Sequence, residues 1–130
     1  MVEVIDDLTR FRELPEIIES EKNKLRALFN KNNEIKTKIT LKENKVRIDI
    51  QNETVDSKPI FSNQEKRDAE LIRRLSVNDE YKILKDEVLS EEQKLKEQEA
   101  HVERLLQEFT RIKVTLLYES SLNELTKIKN

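Results

Sequence analysis

Residues 81–116 read YKILKDEVLSEEQKLKEQEAHVERLLQEFTRIKVTL. Set in heptads with Tyr81 at position a, the a positions are Tyr81, Val88, Leu95, Val102, Phe109 and Leu116, all apolar. The d positions are Leu84, Glu91, Gln98, Leu105 and Ile112, with two polar residues in the middle. Apolar residues every 3.5 positions draw one seam along a helix, and that seam needs a second helix to cover it. No Pro or Gly interrupts the stretch.

The cover is upstream. From Phe11 a second frame has Phe11, Ile18, Leu25, Asn32, Ile39 and Val46 at a, and Leu14, Glu21, Leu28, Ile35, Lys42 and Asp49 at d. Within it, residues 37–50 (TKITLKENKVRIDI) also carry the alternation and β-branching of a β-hairpin. Helix is the preferred reading, because Ile39 and Val46 keep the upstream register and the turn has no Gly. The hairpin stays as the alternative. A helix puts Leu41, Ile48 and Ile50 off the seam, on a second apolar stripe. Asn32 at an a position is either a buried device that fixes register or an exposed layer. Asp6 or Asp7 can cap a helix starting near Leu8, and Pro15 either lies in the first turn of the main helix or kinks a helix already begun.

Residues 51–62 (QNETVDSKPIFS) break both frames, and Pro59 cannot continue a helix. Ser62 or Asn63 then caps a new helix, with Ser62 and Glu65 spaced as a capping box. Leu71, Ile72 and Leu75 share a face of that helix, but are out of phase with the frame from Tyr81. A stutter or a re-capped break at Ser76 or Asn78 accounts for the difference. Past Leu116 the seam fades, and Val114, Tyr118, Leu122 and Leu125 start another stripe.

These parts predict an all-α fold: a long, elongated antiparallel helical hairpin, with arm one at 8–54, a linker at 55–62 and arm two at 63–127. Reversal across the linker pairs residues whose numbers sum to about 118, which brings Glu21 to Gln98. Arm two then overhangs by roughly four turns. A two-helix hairpin buries little surface against its chain entropy. The expectation is therefore a homo-oligomer, dimer or tetramer, with Leu41, Ile48, Ile50, Tyr118, Leu122 and Leu125 as its contact surface.

Composition limits the chemistry. Of 130 residues 40% are charged, Gly and Cys are absent, and net charge is −2. Without Gly there is no Gly-rich phosphate loop, and without Cys no disulfide or thiolate metal site. The sequence shows no signal-peptide pattern and no apolar run near the roughly 20 residues of a membrane span, so a cytoplasmic protein is expected. His101, the one histidine, reads as a solvated helix residue with Glu97 on its face. Paired carboxylates such as Glu91-Glu92 read as a solvated face, and no Ser or Thr has a base nearby. No enzyme, cofactor or metal is expected. Residues 22–47 hold nine basic residues, Lys22, Lys24, Arg26, Lys31, Lys36, Lys38, Lys42, Lys45 and Arg47, against Glu34 and Glu43. They could contact nucleic-acid phosphates, or pair with an acidic partner arm, the favoured reading.

Around Lys58–Leu71 (KPIFSNQEKRDAEL) the chain resembles a diffuse group of small bacteriophage coiled-coil proteins from Gram-positive hosts. There a long helix leads to a Gly-Lys-Pro turn, a Ser-Asn-x-x-x-Arg helix start, a short apolar helix and a long heptad helix. The order of parts matches over residues 35–117, with Ser57 in place of the usual turn Gly. The resemblance implies a phage or prophage origin and an accessory role around DNA metabolism, and it identifies no site residues. The expected function is a non-enzymatic interaction protein that binds a host or phage enzyme, with nucleic-acid binding by residues 22–47 as the alternative.

Overall fold

The computed structural model describes the backbone of residues 2–129 and the side chains of residues 6–127. Helix α1 is Val2–Asn52, a ribbon of β1 (Thr54–Val55) and β2 (Lys58–Pro59) follows, and α2 (Gln64–Ser76) leads into α3 (Asp79–Lys129). The fold is an all-α helical hairpin in which α1 packs against α3. The chain divides into two compact units, one of residues up to Ala27 with those from Leu95 onward, the other Leu28–Lys94.

α1 runs unbroken through residues 37–50, so the β-hairpin alternative does not form. β-Branching is only a weak preference, and a seam that stays in register outweighs it. α1 also begins well before Leu8: Asp6 and Asp7 lie inside it and cap nothing, and Pro15 is in its interior. Proline has no N–H, so the carbonyl one turn before it loses its helical donor.

The linker is more ordered than a loop. Thr54 pairs with Pro59 and Val55 with Lys58 in an antiparallel ladder. Asp56 and Ser57 form the turn with φ of 52° and 65°. Positive φ at both central residues suits the twist of a two-residue hairpin, but it is costly for a residue with a Cβ. The Ile60 N–H donates to the Glu53 carbonyl at 3.1 Å and closes the ribbon onto the end of α1.

The α2 cap falls on Asn63, whose side chain accepts the Lys66 N–H at 2.8 Å. The capping box expected at Ser62 and Glu65 is not used, because Asn63 is one residue nearer the first turn and caps as well as Ser. Asn78 separates α2 from α3. It donates its N–H to the Leu75 carbonyl, and its side chain accepts the Tyr81 N–H at 2.9 Å. One residue thus ends one helix and starts the next, which resets the heptad phase.

The core forms three clusters. In the first unit Leu14, Ile18, Leu105 and Ile112 are buried, with Phe11 and Phe109 stacked beside them at 4.8 Å between ring centroids. In the second, Ile35, Ile39 and Val88 make one cluster, and Ile50, Leu71 and Leu75 another. Of the residues read as the seam, Phe11, Ile18, Leu25, Ile39, Val46, Tyr81, Val88, Leu95, Val102, Phe109 and Leu116 are each buried or half-buried. Ile50 corrects the sequence reading. It was expected on an outer contact surface, yet it is only 2% exposed. Near the end of α1 the covering helix is α2, and the face it covers extends one helical turn past Val46, from Val46 to Ile50.

Candidate functional site

Two polar layers interrupt the seam. In the second unit Asn32 and Glu91 are both buried, at 2% and 3% exposure. Lys31 and Lys94 reach Glu91 Oε1 at 3.1 and 3.2 Å. Their hydrogen bonds hold the Glu91 carboxyl below the usual carboxylate range, against the opposing effect of desolvation. Glu91 Oε2 and Asn32 Oδ1 are buried without a hydrogen-bond partner among the described residues. Asn32 is therefore the buried of its two expected forms. In the first unit Gln98 Nε2 donates to the Glu21 carbonyl at 2.9 Å and to its Oε2 at 2.7 Å, the pair expected from reversal across the linker. That amide, then Lys24, lower the Glu21 pKa. His101 Nε2 lies 3.9 Å from Glu21 Oε2 and is half-exposed. Among the described residues no group of three or more His, Cys, Asp or Glu side chains converges as a metal site would require.

Five of the nine expected basic contacts are engaged by carboxylates. Lys24 pairs with Glu21 and Arg26 with Glu19 in the first unit. Lys31 pairs with Glu91, Lys36 with Glu92 and Lys42 with Glu80 in the second. These last three cross from α1 to α3, so the basic stretch of one arm neutralises the acidic stretch of the other. Lys22, Lys38, Lys45 and Arg47 have no such partner among the described residues.

Off the seam, Leu41 and Ile48 are exposed as expected, whereas Ile50 is not. Tyr118, Leu122 and Leu125 are exposed too, and Val114 and Leu117 extend that face to five apolar side chains. Every residue from Ser120 to Lys127 is exposed, so this end of α3 has nothing over it among the described residues. Ile72 was expected to share a face with Leu71 and Leu75, yet it is exposed while both of those are buried. The heptad reading did not single out Phe29, Ile83 and Leu89, which are exposed as well. Each lies off its frame, and that was the available signal.

The sequence reading also missed a charge cluster beside the ribbon. Arg74 joins Glu53 at 2.6 Å and Glu70 at 2.8 Å, and Arg73 adds a second cation to Glu70. Hydrogen bonds from Arg73 and Arg74 bring the Glu70 pKa down to about 2. The Arg74 guanidinium also lies over the Phe61 ring, 5.8 Å from its centroid. This cluster ties α2 to the segments flanking the ribbon, Glu53 between α1 and β1 and Phe61 between β2 and α2. Among the described residues no helix is long and apolar enough to cross a membrane. No protein-family model, curated protein or solved structure matches the chain.

Proposed function

We propose that this is a non-enzymatic helical-hairpin interaction protein that binds another protein through the outer face of α3 near its C-terminal end. The observation that carries this reading is the row of exposed side chains Val114, Leu117, Tyr118, Leu122 and Leu125. Apolar residues at helical spacing on one face present what a helix-in-groove or helix-on-helix contact uses. The sequence resemblance extends the proposal to a phage or prophage accessory factor, acting in the host cytoplasm on an enzyme of DNA metabolism. Self-association of the hairpin belongs to the same proposal. Nucleic-acid binding by residues 22–47 draws less support, since five of the nine cations already lie against carboxylates.

The test is paired affinity capture from host cells, using the full chain and a Tyr118→Ser/Leu122→Ser variant, with sedimentation equilibrium on both. Both side chains are exposed, so the variant should keep its helicity. The expected result is a partner, or a self-associated state, that the variant loses. Identical captured proteins and identical mass for the two forms would remove this face from consideration.

A further inference from the structure

We infer that a notch between α1 and α2 binds a carboxylate group, presented by an acidic side chain or chain terminus of a protein partner. The cavity measures about 40 Å³. Its apolar floor is Ile50 and Leu71, both buried. α1 contributes Arg47 and Gln51, and α2 contributes Gln64, Arg67 and Asp68. Spacings of three and four residues put each set on one helix face.

Neither arginine of the notch is paired with a carboxylate among the described residues. Arg67 donates from Nη1 to the Phe61 carbonyl and from Nη2 to Gln64 Oε1, both at 3.3 Å, and both acceptors are neutral. Arg67 Nε is buried with no acceptor. Arg47 has no hydrogen bond or ion pair among the described residues. The one carboxylate in the lining, Asp68, accepts from the Gln64 amide at 2.6 Å. By contrast Arg10, Arg73 and Arg74 each meet a carboxylate within 2.7 Å. Two long hydrogen bonds to neutral oxygens leave the Arg67 charge unmatched, and a guanidinium fork suits a planar carboxylate.

A guanidinium fork takes carboxylate and phosphate alike, and of the two a carboxylate is what unmodified protein side chains and chain ends carry. The apolar floor excludes water from beneath the ion and strengthens its attraction to both guanidiniums. The inference rests on the proposed function only for the occupant's being part of a protein. Acetate tests the notch itself.

The experiment follows the arginine Nε–Hε resonances of the ¹⁵N-labelled full chain during titration with sodium acetate, with chloride holding ionic strength constant. Arg67→Lys identifies the Arg67 signal. A saturating shift of that signal is expected, with binding about tenfold weaker in Arg47→Gln, the equivalent of one lost charge-assisted contact. Arg47 is exposed, so its replacement leaves Ile50 and Leu71 packed. A shift that never saturates, or one unchanged in Arg47→Gln, would overturn the site. Tighter binding of inorganic phosphate than of acetate would overturn its assignment to a carboxylate. If acetate saturates the notch while Tyr118→Ser/Leu122→Ser loses no partner, the notch stands and the α3 face falls.

Discussion

The seam around Leu14 and the seam around Asn32 are built on opposite principles. At the first, Leu14 and Ile112 are 0% and 1% exposed, and Phe11 and Phe109 stack with only 7° between their planes. At the second, Asn32 and Glu91 are buried almost as deeply, yet each keeps an acceptor without a donor. Apolar packing stabilises but discriminates poorly between registers, since sliding one arm by a heptad still puts apolar on apolar. A buried amide and a buried carboxylate held by Lys31 and Lys94 tolerate no such slide. The comparison assigns stability to one stretch and register to the other, the second at a cost in free energy.

The largest expected effect breaks the first side. Ile112→Ala or Leu14→Ala should cost about 2–5 kcal/mol in urea denaturation, because each side chain is enclosed and its removal leaves a cavity. A cost below about 1 kcal/mol would mean that this packing does not hold the unit together. Asn32→Leu should act in the opposite direction. A gain of about 1 kcal/mol is expected from removing a buried amide whose oxygen has no donor. Doubled amide resonances in the NMR spectrum should accompany it as alternative registers appear. If the variant is both more stable and single-state, Asn32 does not fix register.

Smaller again is Ser57→Gly, which relieves a side chain held at φ 65°. About 1 kcal/mol of stabilisation is expected, and it should leave both seams as they are. The smallest effect comes with acid. The Glu91, Glu21 and Glu108 carboxyls are held below the ordinary glutamate range, chiefly by hydrogen bonds from Lys31, Gln98 and Arg10 respectively. A depressed folded-state pKa means stability that is complete above the unfolded value and lost as pH falls through the folded one. Amide exchange should therefore accelerate below about pH 4.5, first around Asn32 and Glu91. The Leu14 cluster should follow later, because the carboxylates of its own unit, Glu21 and Glu108, are less deeply buried than Glu91. Simultaneous loss of protection at both would contradict the contrast.

The seam was legible in the sequence because heptad spacing is a one-dimensional signal, and Glu21 with Gln98 followed from reversal about one linker. Ile50 was misread because its cover is α2, and periodicity within α1 carries no information on which helix lies opposite. The turn at Asp56 and Ser57 was legible as turn-forming residues, but the ribbon was not, because strands of two residues are too short to show alternation. Asn32 could be named as a polar interruption, but its burial depends on what lies opposite, which the frame of α1 alone does not give. The notch at Arg47 and Arg67 joins two helices at their ends, beyond the reach of either heptad frame.

The antiparallel pairing also imposes a schedule on synthesis. Arg74 and Glu53 meet across 21 positions, but Arg10 and Glu108 across 98. The ribbon end can close soon after it is made. The apolar face of Phe11, Leu14 and Ile18 must wait for Leu105 and Ile112, on the order of 5–20 s at ordinary elongation rates. During that interval the emerging chain displays an amphipathic helix with no cover. Ribosome-stalled chains ending before Leu105 should be cleaved rapidly by protease near Phe11, and chains extending past Ile112 should resist. The cluster that holds the two most deeply enclosed side chains, Leu14 and Ile112, is thus the one left open longest while it is being made.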